Sequence, residues 1–435
     1  REPFASALVR MGDRASIHLY RQASIQMYTS RAFSTLPDRY LSMTTMTSSH
    51  TDSNHPQNKE SLRPSIVPFI GLHIACLGIL WTGFTVESLL LCAALYVVRV
   101  FGITAGYHRL LAHRSFKAGR VTQFLIVMAG AMSLQRGPLW WAAKHREHHR
   151  DSDTPADAHS PRHFGFMGAH MGWIFRPRYK ADLNLIRDFA QYPELRWLEK
   201  NQYLPGMALG VACYLLGGWD AFFVGYCLST VLVYHVTFMI NSLAHVFGRQ
   251  RFLTGDDSRN NAVLAVLAMG EGWHNNHHYY PSTARAGFRW YEIDMTYYVL
   301  WTLSKFGLVW DLRQPPQSVL RGTKAPTTRI IDLTAGHLAS AFCMDELSQR
   351  IRTAWADSHH MDELKQRARQ ARESVETYLA DIDLPHLPTI EELRALARRK
   401  FADVPALEDV VQRAHARLVA GVSERLTRDL VPQTA

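Results

Sequence analysis

The longest apolar block of the chain, residues 203–248, reads YLPGMALGVACYLLGGWDAFFVGYCLSTVLVYHVTFMINSLAHVFG. It contains no Lys or Arg, and a membrane-spanning helix needs roughly 20 apolar residues to cross a core of about 30 Å. The block is therefore long enough for a hairpin of two spans, about 203–217 and 219–240. Asn241 and His245 follow the second span, so a polar pair stands at its end.

A second apolar block precedes it, because residues 65–98 also lack Lys and Arg. It fits another hairpin, about 66–83 and 86–104. Neither joining turn carries a positive charge, whereas the flanking segments are rich in Lys and Arg. The positive-inside rule then places both termini and the segment 105–202 on the cytoplasmic side. The sequence predicts an all-α integral membrane protein with four transmembrane helices in two hairpins and a cytoplasmic helical cap.

The charge balance argues against nucleic acid as a partner. The 435 residues carry a formal charge of +10, yet residues 321–435 hold 17 basic and 17 acidic residues. The positive surplus therefore flanks the spans, where it suits anionic lipid headgroups or an anionic substrate carrier. Four of the five cysteines lie inside the spans and no CxxC pair exists, which disfavours a disulfide framework.

Three regions are predicted along the chain. Residues 1–64 are rich in Ser, Thr and Arg and poor in acids, which is typical of a transit segment or of an unstructured leader. Residues 65–320 form the membrane domain, and its stretch Asp294–Trp310 mixes aromatics with Lys as an interfacial helix does. Residues 321–435 form a linker and a charged helical appendage, expected to be a solvated tail that packs on the cytoplasmic domain or else a partner-docking element.

Histidines dominate the segments beside the apolar blocks, and three tight clusters stand out. Imidazole is a ligand for iron, zinc, copper and nickel, so the clusters predict metal binding. The clusters, with one further histidine, are His108-Arg-Leu-Leu-Ala-His113, His145-Arg-Glu-His148-His149, His274-Asn-Asn-His277-His278 and His245.

Helical spacing predicts where these rings point. Positions i, i+3 and i+4 share a helix face, so each His-x-x-His-His cluster is expected to face one pocket. His108 and His113 are five apart, about 140° around an α-helix, so we expect them to reach two neighbouring metals unless the helix ends between them. Asn241 lies four residues before His245 and is placed to hold a water on a metal.

The number of imidazoles favours two metal ions over one. Zinc takes four ligands and does no redox chemistry, so nine histidines exceed one zinc site. Two irons, each with positions open to oxygen, fit the set better. The Glu-x-x-His pattern of the carboxylate di-iron bundles is not repeated here, which indicates a histidine-rich centre instead.

These motifs give the chain a family resemblance. Over about 65–315 it resembles the membrane fatty acyl desaturases of the stearoyl-CoA (Δ9) type, closest to bacterial-type members. The stretches that carry the resemblance are Gly106–Phe116, Gly137–Trp141, Trp141–Asp153, Asn241–His245, Gly270–His278 and Gly287–Asp294.

The resemblance implies an activity and a set of site residues. It implies that a di-iron centre uses O2 and two electrons to place a cis double bond, most simply Δ9, in a saturated acyl-CoA. Gln135, Trp141 and Thr237 would shape the bend of the acyl tunnel. The implied iron ligands are His108, His113, His145, His148, His149, His245, His274, His277 and His278, with Asn241 acting through water.

Two departures limit what the resemblance carries over. Ala143-Lys144 stands where animal members have an Arg-Asp pair, so their CoA contacts do not transfer. No His-Pro-Gly-Gly signature occurs, so a separate cytochrome b5 or ferredoxin-type donor is expected. The expected location is the endoplasmic reticulum in a eukaryote and the inner membrane in a bacterium, with the active site cytoplasmic.

Three other functions stay open at this point. One is a desaturase of phospholipid-linked chains, and another is a membrane fatty acid or alkane hydroxylase with a similar metal site. The third belongs to a different class, a metal-binding membrane protein without catalysis, such as a lipid sensor.

Overall fold

The computed structural model describes residues 63–176, 181–356, 358–368, 378–379, 382 and 384–427. The predicted leader 1–64 therefore lies outside the described residues except at its last two positions. The predicted helical fold is confirmed for the described part of the chain. A pair of two-residue strands, β1 (Lys117–Ala118) and β2 (Val309–Trp310), is added to it, with Lys117 opposite Trp310.

Residues 63–245 supply the apolar helices and the first two histidine clusters. Their α-helices are α1 (Arg63–Ala75), α2 (Ile79–Thr82), α3 (Val86–Phe101), α4 (Arg120–Ala131), α5 (Pro138–Asp151), α6 (Pro161–His170), α7 (Arg187–Ala190), α8 (Pro193–Lys200), α9 (Leu204–Asp220) and α10 (Ser229–Ser242). Two π-helices continue α3 and α9, namely πA (Gly102–Ala112) and πB (Ala221–Leu228). Short 3₁₀ turns are Cys76–Gly78, Gly172–Phe175, Leu183–Ile186 and Leu243–His245.

The second half carries the third histidine cluster and the C-terminal helices. These helices are α11 (Ala262–Leu267), α12 (His274–Tyr279), α13 (Met295–Lys305), α14 (Gln317–Leu320), α15 (Thr328–Ala339), α16 (Met344–Ala354), α17 (His359–Ala368), α18 (Ile390–Lys400) and α19 (Leu407–Thr427).

Each apolar block folds as two consecutive apolar helices, and a glycine with positive φ marks the reversal of chain direction between them. Gly83 (φ 72°) separates the apolar helix Ile66–Thr82 from the next one, Val86–Ala112. Gly218 (φ 66°, ψ −157°) interrupts the apolar stretch Leu204–His245 with a non-helical residue. Within the described residues, two helical stretches, Val86–Ala112 and Leu204–His245, are long and apolar enough to cross a membrane by length and composition, so four crossings stay a prediction.

A shared contact places both reversals at one end of the molecule. The hydroxyl of Thr85, beside the first reversal, donates to the Asp220 carboxylate beside the second at 2.5 Å. The histidine-bearing ends of πA and α10 lie at the other ends of these helices. The hairpins therefore bring His108 and His245 to the same side, as the sequence predicts.

Helix α5 is positioned by its own N-terminus and by the apolar core around πA. Gly137 and Pro138 begin it, and proline suits the first helical turn because that backbone nitrogen has no intrahelical partner. The Glu199 carboxylate accepts from the backbone N–H groups of Leu139 and Trp140 at 2.9 and 3.1 Å. Helix α5 packs on πA, and this contact brings two histidine clusters together.

The predicted interfacial helix is shorter than expected. It spans Met295–Lys305, begins with the Asp294 side chain accepting from the Tyr297 N–H, and gives way to β2. Gly307 (φ 68°) follows it, and a left-handed residue there ends the helix. Trp301 and Trp310 remain half exposed, as aromatic residues at a membrane surface are.

The predicted charged helical appendage is here called the C-terminal domain and comprises the described residues between 328 and 427. Helices α15, α16 and α18 pack on α19 around an apolar core that also includes Leu253. The charged helical pattern correctly predicted α17 and α18. Sequence reasoning missed the core because charged residues on the outer faces hide an apolar stripe, seen in α19 as buried Val411, Leu418 and Val422.

Candidate metal centre

The first histidine pair lies in πA, whose backbone changes the expected geometry. Its N–H groups bond five residues back, and the His113 N–H donates to the His108 carbonyl at 3.1 Å. The two rings are therefore neighbours, with centroids 4.8 Å apart. The divergence of about 140° holds for an α-helix and is wrong here, since a π-helix brings residues five apart toward one face. The alternative expected from the sequence, a helix that ends between the two histidines, is met because πA ends at Ala112.

The other two clusters do not each face one pocket, and that expectation is also wrong. On α5, the Nε2 atoms of His145 and His149 lie 3.0 Å apart, whereas His148 lies with His245 and His274. On α12, His277 lies with His145 and His149, whereas His274 and His278 lie with His148. Each of these two clusters thus contributes ring nitrogens to both sets.

The nine histidines form two adjacent groups, and within each group the candidate ligand nitrogens all lie within 4.8 Å of one another. The groups touch, because the ring centroids of His149 and His278 are 4.4 Å apart. The five-histidine group consists of His108, His113, His145, His149 and His277. The four-histidine group consists of His148, His245, His274 and His278.

Four carboxylates orient four of the imidazoles by contacting Nδ1. At His245 and His278 the contact is a hydrogen bond, which keeps the hydrogen on Nδ1 and leaves the Nε2 lone pair free for a metal. At His108 and His148 the carboxylate lies beside Nδ1 at ion-pair distance. The four contacts are His108–Glu271 at 2.8 Å, His148–Asp157 at 3.1 Å, His245–Asp153 at 2.8 Å and His278–Asp256 at 2.7 Å.

The Nε2 atoms then converge in a way that hydrogen bonds alone do not satisfy. In the five-histidine group, His277 Nε2 lies 3.0 Å from His108 Nε2 and 2.9 Å from His149 Nε2. One hydrogen atom serves one such pair, whereas a metal ion among the five accepts every lone pair. In the four-histidine group, the buried Nε2 atoms of His148 and His278 have no hydrogen-bond partner among the described residues. Both groups therefore fit a metal ion.

The electrostatics of the pocket suit a cation. Burial, and then the neighbouring histidines, hold the pKa of His274 and His277 well below the ordinary value, so both rings are neutral. Neutral imidazole is the form that binds metals. Burial works against ionisation of Glu271, but His108 and Arg109 outweigh it and lower the pKa of that carboxyl to about 2.

Arg109 holds the carboxylate of the five-histidine group in place. Its guanidinium lies 2.9 Å from Glu271 and 3.0 Å from Asp294, and all three side chains are buried. Sequence reasoning noticed Glu271 but missed Arg109 and the aspartates. The signal for Asp153 was present, because it closes the second motif; Asp256 stands in a loop with no periodic pattern to mark it.

The side chains predicted to shape an acyl tunnel line one cavity beside the histidines. Gln135 donates from Nε2 to the Thr237 hydroxyl at 3.0 Å, and Trp141 stacks on His145 with ring centroids 5.0 Å apart. Asn241 lines the same cavity, and its role through water stays a prediction. The remaining lining is largely apolar and includes Phe69, Val100, Ile103, Leu134, Ile174, Val236, Phe238 and Ile240.

Comparison with known proteins gives a consistent match over this part of the chain. The fatty acid desaturase family model matches residues 85–313, which include all nine histidines. A chloroplastic palmitoyl-monogalactosyldiacylglycerol delta-7 desaturase of Arabidopsis thaliana is 40% identical over 229 residues, 52% of this chain and 62% of that protein.

Two further relatives have different carriers in their names. The sn-1 stearoyl-lipid 9-desaturase of Anabaena variabilis is 37% identical over 56% of this chain and 91% of its own length. The acyl-CoA C20 Delta5-desaturase of Anemone leveillei is 36% identical over 57% of this chain and 80% of its own length.

Proposed function

This chain belongs to the fatty acid desaturase family, and from that premise we propose that it places a cis double bond in a saturated acyl chain. We expect the Δ9 position. The observation that carries the proposal is the cavity whose lining is largely apolar and which is bordered by His108, His145, His148 and His274. An unactivated alkyl chain offers no polar handle, so the shape of such a cavity has to select the carbons that react.

The two histidine groups are proposed to hold one iron ion each, with Asn241 acting through water. When bound, such a pair supplies oxygen activation and the oxidising power to remove two hydrogens from an alkyl chain. The protein's own part is to fix the rings through the four carboxylates and to keep the reacting carbons beside the histidines. Trp141, Gln135 and Thr237 are proposed to bend the acyl chain there.

The carrier of the acyl chain divides the proposal into two candidates. Acyl-CoA is the substrate expected from the sequence. A lipid-linked chain is favoured by the names of two of the three relatives compared above. The absence of the Arg-Asp pair before the second histidine cluster removes the animal-type CoA contacts, which also favours the lipid-linked candidate.

We further propose four membrane crossings with the histidines on the cytoplasmic side. An unbroken helix of the 42 residues Leu204–His245 would be roughly 63 Å long, about twice the thickness of the hydrocarbon core. The reversal at Gly218 therefore supports two crossings in that stretch. The reversal at Gly83 supports the same arrangement for the first pair.

Electrons are proposed to come from a separate acidic carrier protein of the cytochrome b5 or ferredoxin type. A cleft lined by Arg249, Arg251 and Arg289, with Asp403 as its one acidic lining residue among those described and Arg251 paired with Glu292, offers complementary positive charge mainly through Arg249 and Arg289. It adjoins α12, because Asn275 Oδ1 accepts from the Arg251 N–H at 2.7 Å. Asn275 directly follows His274, so a carrier in this cleft is close to the proposed metal centre.

The test is the fatty-acid profile of host membranes expressing the chain, with double-bond positions determined. The intact chain should produce new Δ9 monoenes, and His274→Ala should produce none while accumulating normally. His359→Ala, a histidine of the C-terminal domain, is the matched control and should behave like the intact chain. Hydroxylated chains would favour the hydroxylase. Feeding labelled acyl-CoA and labelled glycerolipid to isolated membranes then distinguishes the two carriers.

A further inference from the structure

The C-terminal domain shares its apolar core with the loop that follows α10. Leu253, only 4% exposed, belongs to the same cluster as Leu338, Leu347 and Val411 of the domain. Burial of an apolar side chain is stabilising, so this contact attaches the loop to the domain.

Two further contacts join helix α15 to the loops around the histidines. Gly255 has φ +86°, and a β-carbon added there would lie 3.3 Å from Leu333 Cβ on α15. The loop backbone therefore sits directly on that helix. Arg329, near the start of α15, donates to the carbonyl oxygen of Arg150 at 2.6 Å, one residue after His149.

The loops held in this way carry three of the four orienting carboxylates. Asp153 and Asp157 lie in the segment 150–160, and Asp256 lies in the segment 249–260. A hydrogen bond ties the segments together, because the Asp257 N–H donates to Asp153 Oδ2 at 2.8 Å. These three carboxylates contact Nδ1 of histidines that all belong to the four-histidine group.

The carboxylate that orients the five-histidine group is held by residues outside these two loops. Its carboxylate, Glu271, lies between α11 and α12 and is held by Arg109 of πA. Asp294, just before α13, holds the same guanidinium from the other side at 3.0 Å. The two groups thus depend on different parts of the chain for their orientation.

We propose that the C-terminal domain is a brace that keeps the four-histidine group ready to bind its metal ion. Loosening the contact between α15 and the two loops lowers the affinity of that group and leaves the five-histidine group as it is. The inference rests on the proposed metal centre but not on the proposed reaction, since metal occupancy is measured without turnover.

The experiment is an anaerobic Fe²⁺ titration of the full-length chain in detergent. Leu333→Glu combined with Arg329→Ala places a charge against Gly255 and removes the bond to Arg150. Leu333 lies outside the core cluster of the domain, so the domain should remain folded, which circular dichroism and thermal unfolding report. One of two iron equivalents should weaken on the order of 10- to 100-fold, as for other losses of ligand-orienting groups, while the second is unchanged.

Matched variants separate this effect from a general loss of folding. Arg350→Ala removes an exposed ion pair with Glu346 in the same domain and should retain both equivalents. Leu333→Met should also retain them. Asp256→Asn should weaken the same single equivalent with the interface intact. If the double variant unfolds, Gly255→Ala, which presses a methyl group against Leu333, provides the same readout.

Two results would overturn the brace. One is a double variant that binds both equivalents as tightly as the intact chain. The other is loss of both equivalents together while the domain remains folded. An intact chain that binds no iron overturns the metal centre and the brace alike. An intact chain that binds two irons but forms no desaturated product rejects only the proposed reaction.

Discussion

Each imidazole of the centre has a second ring nitrogen, and the contact that this nitrogen makes decides how the ring faces a metal. Four of the nine rings contact a buried carboxylate through Nδ1, and the pKa of Glu271 and Asp256 lies below the ordinary range in each case because a histidine lies against it. The remaining rings are held by packing, as in the stacking of His145 on Trp141. Orientation at this scale is therefore electrostatic for some rings and steric for others.

Replacing Glu271 by Gln tests the electrostatic part. The change removes the negative charge 2.8 Å from His108 Nδ1 and leaves Arg109 with one carboxylate instead of two. Iron affinity of the five-histidine group should fall about 10- to 100-fold in an anaerobic titration. Glu147→Gln is the matched control, since Glu147 pairs with Lys144 instead of a histidine. If Glu271→Gln binds iron as tightly as Glu147→Gln does, Glu271 does not orient the five-histidine group.

Replacing Thr237 by Val tests the shape of the cavity. The hydroxyl that accepts from Gln135 is lost, and among the described residues Gln135 Nε2 then keeps the weaker contact with the Val233 carbonyl at 3.4 Å. A lost hydrogen bond of about 1 kcal/mol corresponds to an approximately fivefold change in the ratio of products with different double-bond positions or chain lengths. Gas chromatography of derivatised fatty acids measures that ratio. An unchanged profile would remove Thr237 from the tunnel.

Among the elements, πA shows most clearly what sequence can and cannot predict. Apolar length and charge asymmetry predicted the helices, and cluster spacing identified the nine histidines that the fold brings together. The split into groups of five and four was not predictable, because it depends on πA turning His113 toward His108. That turn depends in part on a tertiary contact, in which πA lies against the backbone of α4 at Gly102 and Gly130.

Replacing Gly102 by Ala tests that contact. A β-carbon there would lie 2.1 Å from the Gly130 nitrogen, a backbone atom that moves only with its helix. We expect a loss of about 1–3 kcal/mol in stability and a lower thermal unfolding midpoint in detergent. Gly71→Ala is the control, because nothing lies within 4 Å of a β-carbon at that position. A midpoint for Gly102→Ala equal to that of the control would show that πA and α4 separate at little cost.

At the scale of the whole molecule, the hairpin reversals lie at one end and the histidines at the other. If the protein crosses the bilayer as proposed, the reversals face away from the cytoplasm and the C-terminal domain faces it. The exposed apolar residues of the hairpins, among them Leu80 (87% exposed) and Leu216 (89% exposed), then lie against lipid.

Thiol labelling of intact cells or spheroplasts tests that orientation. Phe84→Cys places a thiol at the exposed first reversal, and the native Cys343 is an exposed thiol in the C-terminal domain. A membrane-impermeant maleimide should label the engineered cysteine in intact cells and Cys343 only after lysis. Labelling of Cys343 before lysis would reverse the proposed topology.

The arginine cleft makes a second prediction at this scale. Arg249→Glu with Arg289→Glu should raise the KM for an acidic electron-carrier protein roughly tenfold and weaken its dependence on salt. Turnover with a small artificial reductant should be unchanged. Arg350→Glu, a charge reversal on the C-terminal domain, is the control. An unchanged KM in the double variant would place the donor elsewhere.

The four carboxylates against the imidazoles also set a charge count for the centre. Asp153, Asp157, Asp256 and Glu271 bring four negative charges into a buried space, while Arg109 and Asp294 cancel each other. Two divalent ions would leave this space neutral, whereas two trivalent ions would leave two surplus positive charges away from water, where charge is costly. If the two histidine groups hold two metal ions as proposed, this charge balance would therefore favour the reduced form of the pair over the oxidised form.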